Sequence, residues 1–447
     1  MNYNSKKILK LKNGIRLLII PLKTKLTKIS VNILLGESHE KKNETELTHL
    51  LEHVFASFTS DKYKDSNEIK KELNKRGAKS NAYVSKYETS FYIEGLYDDI
   101  DYYIDLLSNT LNNLYIDKNI VNNEKNAVIQ ELNNYISESQ YIFNMKVWRF
   151  MYFKYAYQYN YDKHIKFINE YNSDKLYDFY KKHIILKNIV ISVTCPLYKR
   201  NITEKLLKKA FNFKNINKKY SLKYPIYHYI NNNMKIIYIN NKQSNNNTLL
   251  NIIVDKNIKK YSTKHICLNY LNYILFNFDT GVFYEILRRK LRLIYNINLN
   301  ISIDSYNSKS SSYRIESNII TDKIPHLISN IIRIVENLKI TDQDISAARN
   351  YLLIKNEYDK FYNLNTNEKY YNEFLLYKKP IIEKNNLINL YKNITNGQIY
   401  NELINFKKDI LYNSLFFYYS NKNMNKKIKN VINKYNILYK IKYININ

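Results

Sequence analysis

The chain has 447 residues, and a single hydrophobic core rarely grows beyond about 250–300 residues, so two domains or more are expected. Hydrophobic residues make up 45% and aromatics 15%, enough for real cores, but no apolar run reaches the roughly 18–20 residues of a membrane helix, so no membrane span is expected, and no membrane partner. The net charge of +30 comes from Lys spread along a chain that is also rich in Asn, Ile and Tyr and poor in Gly and Pro, which reads as AT-rich coding bias rather than as a nucleic-acid surface.

In chain order, 7–11 and 15–20 read as strands around the hairpin signal Asn13-Gly14, and 29–35 as a third strand. A helix is predicted from near Asn43, because Asn43 and Glu46 have the spacing of a capping pair. A second helix spans 66–75, capped by Asp65 and closed by Gly77. Strands follow at 81–84 and 89–95, helices at 99–114 and 119–135, and a helix at 173–182 leads to a strand at 187–193. The Lys-, Asn- and Tyr-rich stretch with Pro225 marks a boundary, giving expected domains 1–213 and 227–447 with a linker over 214–226. The second half starts again with strands at 235–239 and 248–254, a helix at 263–276, strands near 295–302 and 313–318, and further helices. That order points to a diverged internal duplication. Two cysteines, Cys195 and Cys267, make no disulfide framework and fit a reducing compartment. The basic N-terminus has no signal-peptide core, so a cytoplasmic location is expected.

Residues His49-Leu50-Leu51-Glu52-His53 form an H-x-x-E-H motif. Leu47, Leu50, Leu51, Val54, Phe55 and Phe58 recur as one helical stripe. At about 100° per residue, that stripe centres opposite His49, with Glu52 and His53 flanking it. One face therefore packs into a core and the other presents two imidazoles and a carboxylate. A catalytic zinc uses three protein ligands and a water. Histidines at i and i+4 supply two, and the third must come from elsewhere. The alternative is a pair of ordinary surface histidines on an amphipathic helix. Downstream, Glu124 and Glu131 are spaced to share a helix face.

With these residues the chain resembles the pitrilysin/insulinase-type (inverzincin) zinc metallopeptidases, the group that includes the mitochondrial processing peptidase β-subunit and short bacterial and viral relatives. The likeness extends to Leu11-Lys12-Asn13-Gly14-Ile15-Arg16, to Gly36 through Glu40, to Gly77 through Ala82 with Thr89, and to Leu287, Arg288, Lys290, Leu293 and Tyr295. It implies an α/β (α+β) fold of two homologous domains, each a mostly antiparallel sheet with helices packed on one face. It implies one Zn2+ per chain held by His49, His53 and Glu131, with Glu52 as general base and Glu124 supporting the site without ligating. It also places peptide binding by strand addition at Asn81 and Ala82, and contacts near the scissile bond at Arg288 and Tyr295. Bland readings of the same residues are a solvated helix carboxylate for Glu124, a turn cap for Asn81, and a basic helix face with a core Tyr for Arg288 and Tyr295. One departure from the family pattern is Arg292, where a Gly is usual, which leaves the backbone before Tyr295 open. His265 has no motif partners, so the second half is expected to hold no metal.

The expected activity is zinc-dependent hydrolysis of peptides or extended protein segments, by one chain or with a homodimeric or heterodimeric partner. The alternatives are a non-catalytic assembly subunit of the same fold, against which the intact motif argues, and a nucleic-acid-binding protein resting on charge alone. The biased composition also suits a large cytoplasmic DNA virus or a parasite, and a viral source would place the chain in host cytoplasm or a virion.

Overall fold

The structure is a computed structural model that describes residues 6–151, 161–214, 234–241, 246–303, 311–362, 384–433 and 441–446. Its first sheet is built from β1 (Lys7–Lys10), β2 (Arg16–Leu22), β3 (Leu26–Ile33), β4 (Lys79–Val84), β5 (Thr89–Leu96) and β6 (Ile189–Pro196), in the order β1-β2-β6-β3-β5-β4. Neighbours run antiparallel except β2 and β6, which are parallel. The β1–β2 hairpin closes as its turn residues dictate: Gly14 takes φ 98 and the Leu11 N–H donates to Ile15 O at 2.8 Å.

Alternate strand residues point to opposite faces. Leu17, Ile19, Ile29, Val31, Ile33, Phe91, Ile93, Ile191 and Val193 are fully buried and share one core. That core is closed by α1 (Leu47–Ala56), α2 (Ser66–Lys75), α3 (Ile100–Asn112) and α4 (Lys118–Ser137). The opposite face mixes apolar and small polar groups, with buried Leu18, Ile20 and Val190 beside Ser30, Asn32, Ser90 and Ser192. Asn32 Nδ2 donates to Ser30 Oγ at 3.0 Å and to Val190 O at 3.2 Å, and Asn32 Oδ1 accepts from Ser90 Oγ at 2.9 Å.

Local signals place α2 where expected. Asp65 Oδ1 accepts from the amides of Asn67 and Glu68 at 2.8 and 3.3 Å, and Gly77 turns the chain away at φ 61. The start of α1 differs from expectation. Residues 42–44 form a separate 3-10 turn closed by Lys41 N–H to Glu44 Oε2 at 3.1 Å, and Glu46 takes φ 70. The Asn43–Glu46 capping pair therefore does not form. The buried Glu40 carboxylate caps α1 instead, accepting from the amides of Glu46 and Thr48 at 3.0 and 2.7 Å.

The chain divides into two compact units, the first built chiefly from Met1–Ile136 and Asn160–Pro225. Ser137–Tyr159 falls in the second, with Ile226–Asn363 and Ile382–Asn447. The helix α5 (Ser139–Met151) thus lies outside the unit that chain order gave it. Its Phe143, Val147 and Met151 pack on Ile237, Ile239, Ile253, Leu415, Phe417 and Tyr419. The expected linker over 214–226 lies outside the described residues apart from Lys214.

The second sheet comprises β7 (Lys235–Asn240), β8 (Asn247–Asp255), β9 (Ile297–Ser302), β10 (Ser312–Ile320), β11 (Leu415–Ser420) and β12 (Lys442–Ile446), ordered β12-β7-β11-β8-β10-β9. This repeats the first sheet's order, with C-terminal β12, parallel to β7, in the place of β1. β11 also runs parallel to β7, and the remaining pairs are antiparallel. Helices cover this sheet on both faces, since α5 adds to the larger core on the other side. Among the described residues no helix is long and apolar enough to cross a membrane.

Candidate metal centre

The apolar stripe of α1 packs as its spacing requires. Leu47, Leu50, Leu51, Val54 and Phe55 are fully buried, and Phe55 stacks on Phe91 of β5 with ring centroids 4.6 Å apart. His49, Glu52 and His53 occupy the opposite side of the helix. In α4, buried Val121, Val128 and Leu132 turn Glu124 and Glu131 toward these groups.

Among the described residues, His49, His53 and Glu131 form the group of metal-competent side chains whose donor atoms lie within 4.8 Å of one another. His49 Nε2 is 3.5 Å from Glu131 Oε2, and His53 Nε2 is 3.7 Å from Glu131 Oε1. Donors bound at ~2 Å to a tetrahedral ion stand about 3.3 Å apart, so the set fits zinc in chemistry and in spacing. The second ring nitrogens are held by carboxylates. His53 Nδ1 lies 3.1 Å from Glu124 Oε2, and His49 Nδ1 lies 2.7 Å from Glu46 Oε2. That pairing directs Nε2 of both rings at Glu131 and leaves Nδ1 to carry the proton. Glu124 is thus a partner of His53 and not a solvated carboxylate.

Burial raises the Glu52 carboxyl above its ordinary value, partly offset by the two histidines. Its Oε2 lies 3.9 Å from His53 Nε2, beside the donor set. Burial by itself would lower the His49 imidazole, but the bond and charge of Glu46 outweigh it and raise it to about 9. Burial would raise Glu46, yet its bonds to His164 and His49 hold it down at about 2.

Two contributors were not legible in the sequence. Glu46 reads there as a capping residue, and His164, in α6 (Tyr161–Glu170), carries no motif. In the folded chain His164 Nδ1 lies 2.7 Å from Glu46 Oε1 and the ring is buried.

Asn81 and Ala82 lie in β4, the edge strand of the first sheet, alongside α1. They pair with Tyr92 and Phe91 of β5, and the Ala82 N–H donates to Asn81 Oδ1 at 3.0 Å. Asn81 is therefore a strand residue and not a turn cap. In the second unit, Arg288 sits in the π-helical segment Tyr284–Lys290, and its Nη1 donates to Tyr295 O at 2.8 Å. The guanidinium lies 4.5 Å from the Tyr295 ring and 5.1 Å from the ring of Phe278. Tyr295 is 74% exposed, which overturns its reading as a core residue. Arg292, standing where the family pattern has Gly, takes the left-handed conformation all the same, at φ 50.

Two units of one strand order, with an H-x-x-E-H helix and a glutamate from a later helix in the first, define a two-domain protein of insulinase type. The pattern of Insulinase (Peptidase family M16) matches residues 18–160 and that of the Peptidase M16 inactive domain matches residues 170–352, and the chain belongs to peptidase family M16. It is 32% identical over 124 residues to "Uncharacterized zinc protease YmxG" of Bacillus subtilis, a stretch that is 28% of this chain and 30% of that protein. It is 26% identical over 134 residues to the mitochondrial-processing peptidase subunit beta of Dictyostelium discoideum, covering 30% of this chain and 28% of that one. Cytochrome b-c1 complex subunit 1 of Bos taurus is 27% identical over 135 residues, again 30% of this chain and 28% of the relative. The aligned stretches thus span less than a third of each of these relatives. A solved protease from Helicobacter pylori shares the fold at 16% identity, with a TM-score of 0.77 over 93% of this chain and 99% of that chain.

Proposed function

We propose that this chain is a zinc-dependent metalloendopeptidase that hydrolyses peptides or extended protein segments, with one zinc held by His49, His53 and Glu131. The observation that carries this reading is the convergence of the three donors while Glu46 and Glu124 hold the far side of each imidazole. A zinc ion bound there supplies Lewis acidity, lowering the pKa of a water and polarising the scissile carbonyl. Glu52 accepts the proton from the attacking water on its carboxylate and passes it to the leaving amine nitrogen. Its raised pKa suits both halves of that transfer. Glu124 keeps the His53 proton on Nδ1. An extended substrate adds as a further strand against Asn81 and Ala82, a mode in which backbone pairing tolerates varied sequence. Arg288 and Tyr295, matched to the family pattern and bonded to each other, contact the substrate near the scissile bond. A second copy or a different partner chain is a natural companion, since two of the relatives are by name subunits.

The likeness to a cytochrome b-c1 complex subunit also favours a second reading, a non-catalytic assembly subunit. Incubating the purified chain with a peptide library, with chelator and then with added zinc, separates the two. The peptidase reading expects cleavage that chelator stops and zinc restores. No cleavage by the zinc-loaded chain would favour the assembly subunit.

A further inference from the structure

Glu46 stands immediately before α1 with φ 70, a conformation rare for a residue that carries a Cβ. Such strain persists where surrounding contacts over-determine it, and it concentrates at functional sites. Here four contacts fix the residue. Its N–H donates to Glu40 Oε2 at 3.0 Å, and its carbonyl accepts from the Leu50 N–H at 2.9 Å. Its two carboxylate oxygens each lie 2.7 Å from an imidazole, Oε2 from His49 Nδ1 and Oε1 from His164 Nδ1. The preceding peptide is also tied down, since the Tyr171 hydroxyl donates to Thr45 O at 2.8 Å.

The left-handed turn has a geometric consequence. A glutamate one turn ahead of His49 on a regular helix would share its face and project beside it into solvent. With the backbone reversed at Glu46, the carboxylate is largely shielded, its side chain 12% exposed, and sits behind the His49 ring, on the side away from Glu131. The buried His164 closes it in from α6. His53 receives its carboxylate from α4, through Glu124. The two imidazoles are therefore braced from different elements, and the brace of His49 includes a third histidine.

We propose that Glu46, backed by His164, is a positioning residue that sets the ring orientation and tautomer of His49 for metal binding. This rests on the reading of His49, His53 and Glu131 as zinc ligands. Carboxylates that hold the second nitrogen of a ligating histidine typically change metal affinity by about 10–100-fold when removed. His164 ligates nothing in this scheme. It keeps the Glu46 carboxylate from turning away from His49.

The test is a zinc-affinity measurement by chelator competition on the full chain, comparing the parent with Glu46→Ala, His164→Phe and His53→Ala. Zinc binding by the parent and its loss in His53→Ala establish the ligand set, independently of Glu46. The expected result is then an affinity lowered about 10–100-fold in Glu46→Ala, with a smaller loss in His164→Phe. Nitrogen NMR of the zinc-loaded chain gives a second readout. The His49 Nδ1 proton, far downfield in the parent through its bond to carboxylate, moves upfield in Glu46→Ala and partway in His164→Phe. Parent-like affinity in Glu46→Ala overturns the proposal. If Glu46→Ala does not fold, an unchanged affinity and an unchanged His49 Nδ1 resonance in His164→Phe overturn it. A parent that takes up no zinc sinks the metallopeptidase reading, and this proposal with it.

Discussion

The two units share one strand order and place a helix after the corresponding strand, α1 after β3 and α7 (Thr263–Phe276) after β8, yet their histidines are used differently. On α1, the Nδ1 atoms of His49 and His53 meet carboxylates from outside the helix, and Glu131 faces the other nitrogens. On α7, His265 Nδ1 accepts the Tyr261 N–H at 2.9 Å. Burial, aided by the charge of Lys260, lowers that imidazole to about 4. A ring whose nitrogen accepts from the backbone is a neutral structural part. A ring whose nitrogen donates to a carboxylate is prepared for a cation. The sheets differ as well. The face of the first sheet turned from that core holds the Asn32 network, whereas on the matching face of the second an apolar cluster packs with α5, and the buried Asn251 donates to Asn144 of that helix at 3.3 Å. One scaffold thus serves two ends, according to what is placed around it.

That contrast can be broken in three ways. The largest effect is expected for Glu52→Gln, which should lower kcat by about 10²–10⁴-fold while zinc content stays at one per chain. Steady-state kinetics beside metal analysis check this, and full activity in the variant would remove Glu52 as the base. A smaller effect is expected from the substrate side. N-methylating single substrate amides away from the scissile bond should raise KM about two- to tenfold at positions that pair with β4, since each lost backbone hydrogen bond is worth ~0.5–1.5 kcal/mol. Indifference to methylation along the whole peptide would rule out strand addition. The smallest effect on catalysis is expected in the second unit, where His265→Phe should leave zinc content and kcat unchanged.

The same variant should alter acid stability, with a sign set by the lowered pKa. The unfolded imidazole takes its proton near the ordinary 6.5 and the folded one only near 4. The unfolded state therefore binds more protons in that window, and the contribution is present above 6.5 and lost as pH falls toward 4. Urea unfolding at about pH 7 and about pH 5 should show a smaller fall in stability for His265→Phe than for the parent. An equal fall would show that His265 is not buried and neutral.

Much of this was legible because the signals are local. Asn13-Gly14, the Asp65 cap and the apolar stripe of α1 act within a few residues, and each determines an element where it stands. The pairing of Glu131 with the histidines was legible only through resemblance, since helix spacing turns Glu124 and Glu131 to one side without saying what lies there. Three features lay beyond local reading. The run Leu415–Ser420 is buried on both faces and shows no alternation, so β11 left no period to find. The helix α5 belongs to the second unit because its apolar residues fit that sheet, which chain order does not reveal. Glu46 reads as a capping partner of Asn43 until the left-handed turn places its carboxylate between His49 and His164.

Zinc content after exhaustive dialysis, measured on the parent chain and on Glu131→Ala, tests the central claim most directly. One equivalent in the parent and none in the variant is the predicted result. A parent without metal, or a variant that keeps the full equivalent, would contradict the site described.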